Sequence, residues 1–223
     1  MARGSDISVV MITMDEEGAV GKVIGDIRQA VPEAEIVIVD SSRDRTPEIA
    51  AGLGATVIRQ FPPRGYGRAM DLALRSFSRP VAVTLDCDDT YPADRVHALA
   101  RLVLDQGYDL VDGSRLGTRP AAMPLPNYLA NRGFALLASI LFLRRVSDLH
   151  SGMRAYRKGL VEELGCDPSG AALPVELLLR AIRKGCRVAT VFIAYRERIG
   201  RSTMRPIESA LWTMRRIWRA RFA

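Results

Sequence analysis

The chain has 223 residues, 48% of them hydrophobic and 26% charged. That is enough for one large domain with its own core, too few for two comfortable ones, and unlike disordered, collagen-like or low-complexity chains. The formal charge of +7 is unevenly spread, residues 1–128 carrying −4 and residues 129–223 carrying +11. Such a basic half points to a polyanion, a phosphorylated ligand or an anionic membrane surface, or else to arginines spread over solvated faces.

In chain order, residues 7–14 read as a buried strand, followed by a helix that opens on Asp15-Glu16-Glu17 and runs to about residue 30. Residues 35–40 (EIVIVD) form a β-branched strand, and Thr46-Pro47-Glu48 marks a helix start with proline at its first position. A short strand over 55–60, a loop at Gly65-Tyr66-Gly67, a helix over 68–77 and a strand over 80–85 follow. Beyond Asp86-Cys87-Asp88-Asp89 come a helix over 93–106 and a strand over 108–113. A proline-rich loop at 120–126 leads into an apolar helix over 127–143. A polar strand-like segment (147–156), a helix (175–184), a strand (187–195) and a terminal helix (207–221) complete the chain. This alternation predicts an α/β fold of Rossmann-like type, with a mainly parallel sheet covered by helices and ligands bound beyond the strands' carboxyl ends.

The expected organisation is a single domain over residues 1–223, with one half over about 1–120 and the other over about 121–223. Three cysteines without metal-ligand spacing fit a reducing cytoplasm. The polar start and strand-sized first apolar run imply no secretory signal. The longest uncharged apolar run, residues 133–143, would make a helix of only ~16 Å at 1.5 Å per residue. That is about half a bilayer core, so the chain is not expected to span a membrane.

Asp86-Cys87-Asp88-Asp89 is the sharpest chemical feature. Alternate residues at a strand end can place two carboxylates on one side, and hard oxygen ligands suit Mg²⁺ or Mn²⁺ bridging a diphosphate. The same residues also suit an acidic turn capping the next helix. The two histidines read as structural (His97) and as a polar residue of segment 147–156 (His150).

The run TLDCDDTYPADRV, with EIVIVDSSRDRTPEIA upstream and YDLVDGSR downstream, resembles glycosyltransferase family 2, whose members have the GT-A fold. NRGFALLASILF, SDLHSGMRAYRK, PVELLLRAIRKG and YRERIGRS are similar to its polyprenyl-phosphate branch, best known from dolichol-phosphate mannosyltransferase. The resemblance extends from about residue 7 to 202, with the motifs in family order.

It implies that Asp86 and Asp88 bind the metal, with Asp88 catalytic, and that Thr90 stands where some relatives supply a third ligand. Thr13, Asp15, Glu16, Asp40 and Asp86 fall on nucleotide-sugar positions, and Gly65 and Gly67 match a turn allowing close backbone approach to the donor. The segment usually reading Pro-Thr-x-Asn-Glu is Ile12-Thr13-Met14-Asp15-Glu16 here. Arg115, Arg132, Arg198 and Ser202 fall on acceptor-phosphate positions, where the lysine usually following the serine is Thr203. Arg198 is also expected at the catalytic centre. Asp148, Ser151, Gly152 and Arg154 match an acceptor-side motif, and Glu176 either faces the donor sugar or serves the helix.

The implied activity is inverting, metal-dependent transfer of a sugar from a nucleoside diphosphate (GDP-mannose or a UDP-hexose) to a polyprenyl phosphate. A phosphate acceptor is already ionised and needs no base. A hydroxyl acceptor would need one, with Asp148 the candidate. A nucleotidyltransferase is the third reading; a nucleic-acid binder has little support because aromatics are only 6% and scattered. In the terminal helix Ile207, Leu211, Met214, Trp218 and Phe222 form one stripe flanked by arginines. The expectation is a peripheral protein at the cytoplasmic, inner face of a membrane, held by this helix and by that over 127–143.

Overall fold

The computed structural model describes residues 3–200 and 205–222. Its strands are β1 (Ile7–Thr13), β2 (Glu35–Asp40), β3 (Thr56–Arg59), β4 (Val81–Thr84), β5 (Leu110–Ser114), β6 (Arg154–Arg157) and β7 (Val188–Phe192). The helices are α1 (Glu17–Ala30), α2 (Thr46–Gly52), α3 (Tyr66–Arg75), α4 (Val96–Leu104), α5 (Leu125–Phe142), α6 (Leu160–Leu164), α7 (Leu173–Arg183) and α8 (Pro206–Phe222).

The seven strands form one sheet in the order β3-β2-β1-β4-β6-β5-β7. All pairings are parallel except those of β6, which runs antiparallel to β4 and β5. Side-chain alternation explains why the strands read as continuous apolar runs. Ile7, Val9 and Met11 of β1, with Ile36 and Ile38 of β2, join the core beneath α1, α2 and α4. Val10, Val37 and Val39 face the opposite core, shared with α3, α5, α6, α7 and α8. Each such fully buried side chain contributes about 1.5–3 kcal/mol, and here both faces are used.

The register Thr13↔Asp40 brings the ends of β1 and β2 level, and Asp86 and Asp88 follow β4 on its neighbouring side. Helix α3 starts at Tyr66, within the expected glycine loop, and α5 starts at Leu125, inside the expected proline-rich loop. Pro126 occupies its first turn, where a missing N–H costs nothing. Segment 147–156 is a strand only from Arg154, and the five-residue α6 carried no sequence signal. Among the described residues no helix is long and apolar enough to cross a membrane.

Candidate active site

At the ends of β1 and β2, Asp40 is fully buried and its carboxylate is spent inside the protein. The Thr13 hydroxyl donates to it at 2.7 Å and the Ser42 hydroxyl at 2.6 Å, both on Oδ1. Oδ2 accepts the Ser42 N–H at 3.1 Å and pairs with Arg59. Asp40 therefore positions Ser42 and the half-exposed Arg59, two residues the sequence reading missed. Asp15, at φ +59°, lies on the same rim and accepts the Arg43 N–H at 2.7 Å.

The second cluster follows β4. Asp88 is buried; its Oδ1 accepts the Thr90 N–H (3.1 Å) and hydroxyl (2.6 Å), closing a tight turn. Thr90 thus braces Asp88. Oδ2 takes Arg198, with Nε at 2.7 Å and Nη2 at 2.5 Å. Arg198 also approaches Glu16, at 3.8 Å, so it ties the start of α1 to the strand end. Asp86 lies against Gly152, where an added Cβ would stand 2.7 Å from its Oδ2. Only glycine leaves that carboxylate its place.

Electrostatics show what this cluster lacks. Burial, then the nearby Asp88 charge, pushes Asp86 up to about 6, although Arg115 and Arg198 pull the other way. Burial raises Glu16 to about 7, opposed by Arg198 and reinforced by Asp88, Asp86 and Asp44. The carboxylates are short of positive charge, which suits a divalent cation. Among the described residues no three acidic, histidine or cysteine side chains form a ready coordination shell. Mg²⁺-type ions are commonly held by one or two carboxylates plus substrate phosphates, and Asp86 and Asp88 match that donor set.

The third group stands on β5 and the segment before β6. Arg115 grips Asp148 bidentately, Nε to Oδ2 at 2.7 Å and Nη2 to Oδ1 at 3.0 Å, and the Arg115 N–H donates to Oδ2 at 3.2 Å. Its guanidinium stacks on Tyr195, 5.2 Å from the ring centre. Burial works to raise the Asp148 carboxyl, but Arg115 and backbone donors outweigh it and hold it down to about 2. Asp148, the base expected for a hydroxyl acceptor, is thus paired with Arg115 and held in its charged form, which makes it a weak proton acceptor. Arg115 reaches the Asp86–Asp88 cluster through its field on Asp86, with its fork already committed to Asp148. Arg154, fully buried, pairs with Asp112 at 2.7 Å and donates to the Leu149 carbonyl at 3.0 Å, so it builds the segment. Ser151 likewise donates to the Gly113 carbonyl at 2.5 Å.

Other expected site residues fall elsewhere. Gly67 is close-packed against this chain's own loop: a Cβ there would lie 2.5 Å from the Pro168 carbonyl, and its N–H donates to Gly170 at 2.9 Å. The close approach assigned to the donor is therefore made by residues 168–170. Gly65 is exposed at φ +94° and begins α3. Arg132 is exposed on α5. Glu176 is fully buried and paired with Arg180 (2.9 Å) and Arg216, which settles its place as structural. Ser202, with Arg201 and Thr203, lies outside the described residues.

The family model described as glycosyl transferase family 2 matches residues 8–165. A dolichyl-phosphate hexose transferase from Haloferax volcanii is 45% identical over 202 residues, covering 90% of this chain and 87% of that protein. The crystal structure of glucosyl-3-phosphoglycerate synthase from Mycobacterium tuberculosis with Mn²⁺, UDP and glucosyl-3-phosphoglycerate superposes with a TM-score of 0.74 at 22% identity, covering 96% of this chain and 79% of that one. Mannosyl-3-phosphoglycerate synthase from Rubrobacter xylanophilus gives 0.74 at 20% identity, with 96% and 72% covered. These likenesses carry the GT-A fold, and the match from β1 through α6 carries the ancestry: the chain belongs to glycosyl transferase family 2.

Proposed function

We propose that this glycosyltransferase moves a hexose from a nucleoside diphosphate sugar to a polyprenyl phosphate, with inversion and with Mg²⁺ or Mn²⁺ as cofactor. The observation that carries the acceptor is the state of Asp148. The Asp148 carboxylate is locked by Arg115 and held down to about 2. A hydroxyl acceptor would lack a base there, whereas a phosphate monoester, with a second pKa near 6, arrives mostly dianionic. The dolichyl-phosphate hexose transferase relationship supports the same reading.

Asp86 and Asp88 would hold the metal, which when bound neutralises charge on the departing diphosphate. The UDP and Mn²⁺ in the mycobacterial synthase complex support a nucleotide donor and a divalent ion for this chain. Thr90 fixes the Asp88 rotamer, Gly152 gives Asp86 its room, and Arg198 adds a cation beside both. Glu16 and the Thr13–Asp40–Ser42 group line the donor side. The acceptor oxygen displaces the diphosphate from the anomeric carbon: one C–O bond forms as the other breaks, and the nucleoside diphosphate leaves.

The outer helices suit a lipid-borne acceptor. On α5 and its cap, Leu125, Leu129, Leu136, Ile140 and Leu143 are all exposed, Leu143 by 92%. Arg132 falls in the middle of that three- and four-residue spacing, placed to meet a phosphate at a bilayer surface. On α8 the stripe Ile207, Leu211, Met214, Trp218 and Phe222 is exposed as well, 80% at Ile207. Peripheral attachment at the cytoplasmic face of a membrane is part of this reading.

The test is incubation of the full chain with GDP-mannose, UDP-glucose and related donors, Mn²⁺ or Mg²⁺, and a short polyprenyl phosphate. The expected product is a hexosyl phosphoprenol with release of nucleoside diphosphate. Release of pyrophosphate instead would indicate nucleotidyl transfer, and sugar transfer confined to hydroxyl acceptors such as 3-phosphoglycerate would overturn the phosphate acceptor.

A further inference from the structure

His150 is half-buried where α5, α8 and the segment before β6 meet. Its N–H donates to Asp148 Oδ1 at 2.9 Å, and its ring Nε2 stands 2.7 Å from Thr213 Oγ1 on α8. Phe134 of α5 packs edge-on against the ring, the centres 5.7 Å apart. The Thr213 hydroxyl already donates its hydrogen to the Ser209 carbonyl at 2.8 Å. At the His150 contact the hydroxyl oxygen therefore accepts, and Nε2 carries the proton. Nδ1 is buried without a described partner, as fits a neutral ring. Burial lowers His150 to about 4, with Asp148 opposing and Arg115 and Arg154 assisting.

One polar path thus runs from α8 through the His150 side chain and main chain to Asp148, and from Asp148 bidentately to Arg115. Arg115, the cation whose field reaches Asp86, is set by a carboxylate whose own loop is latched to an outer helix. We propose that His150 is a positioning residue that fixes the Asp148–Arg115 pair relative to α5 and α8, and so sets the acceptor end of the site. The proposal rests on the acceptor reading above. It predicts that loosening the latch at α8 weakens use of the acceptor and spares the donor, because the donor side hangs on β1, β2 and β4.

Thr213→Val and Thr213→Ser separate this from simple packing, since valine keeps the threonine volume and serine keeps the hydroxyl. Measured quantities are kcat, KM for a short polyprenyl phosphate, KM for the nucleotide sugar, and amide hydrogen exchange over residues 148–153. Loss of one buried hydrogen bond predicts an acceptor KM raised about tenfold in Thr213→Val, an unchanged donor KM, and wild-type behaviour in Thr213→Ser. An acceptor KM that stays put in Thr213→Val, or a donor KM that rises with it, overturns the proposal. If the wild-type chain forms no lipid product, the acceptor reading has failed by itself, and exchange decides the latch. Protection of 148–153 lost in Thr213→Val and kept in Thr213→Ser supports it; equal protection in both overturns it.

Discussion

Asp88 has a partner on each oxygen, Thr90 on one and Arg198 on the other. Asparagine in its place keeps an oxygen for the Thr90 turn and loses the charge that a metal and Arg198 both need. Asp88→Asn should therefore fold normally and lose transfer by a factor of at least about 10², the scale of removing one electrostatic stabiliser from a transition state. Turnover near wild type at saturating Mn²⁺ would sink the metal assignment. The aspartate pair was legible because strand-end spacing is a local property. What Gly67 and Asp40 do was not: their partners are a loop a hundred residues away and an arginine on another strand.

His150 also makes a prediction at this scale, with its sign fixed by burial. The ring titrates near its ordinary 6.5 when the chain is unfolded and about 4 when folded, held down by burial and by Arg115 and Arg154 against the pull of Asp148. Between those values the unfolded chain binds the extra proton, so stability falls as pH drops from about 6.5 toward 4 and is fully present above 6.5. His150→Gln removes that term. Denaturant midpoints at pH 7 and pH 5 should therefore fall less in the variant than in the wild type; an equal fall would mean the imidazole charges freely in the folded protein.

At the scale of elements, α8 reverses the usual amphipathic arrangement. Its inward face is Thr213, Arg216, Ile217 and Ala220, and its apolar stripe faces out. Arg216 makes this possible. Fully buried, it pairs with Glu176 of α7 and donates to the carbonyls of Asp167 (2.6 Å), Ser169 (2.6 Å) and Ala171 (3.0 Å). Trp212 caps the same loop, so tightly that a Cβ at Gly170 would meet its ring at 2.2 Å. That holds Trp212 against the protein's own loop. Arg216→Ala leaves Glu176 buried beside Arg180 alone, and removing one partner of a buried pair costs about 3–5 kcal/mol. Arg215→Ala, on the exposed side over Trp212, should cost about 1 kcal/mol or less. Urea midpoints compare the two directly, and similar shifts would contradict a buried anchor at Arg216. Periodicity exposed the stripe of α8 but not its direction, because the Arg216–Glu176 pair is 40 residues apart in sequence. The strands were legible for the converse reason: burial on both faces wrote continuous apolar runs, though not the antiparallel entry of β6.

At the scale of the whole molecule, the basic excess and the exposed apolar side chains coincide. Of the fifteen large hydrophobic residues exposed among the described ones, ten lie on α5, its cap and α8, nine of them within residues 129–223, the half that carries +11. The two helices adjoin, with Arg221 Nε donating to the Leu141 carbonyl at 3.0 Å. Apolar burial and attraction to anionic headgroups would act together here, and only the second is screened, over a Debye length of about 10 Å at 0.1 M salt. The full chain should therefore co-sediment with vesicles containing anionic phospholipid and release partly as salt rises. Deleting α8 is a poor test, because it would also remove Arg216 from the 167–171 loop. Leu211→Glu with Trp218→Glu leaves the inward face intact and withdraws two side chains whose burial is worth about 1.5–3 kcal/mol each. The double variant should lose vesicle binding and transfer to a long-chain polyprenyl phosphate in those vesicles, while still using a short, water-soluble acceptor. If the wild-type chain ignores anionic vesicles even at low salt, the two stripes do not face lipid, and the lipid-linked acceptor loses the surface that would deliver it.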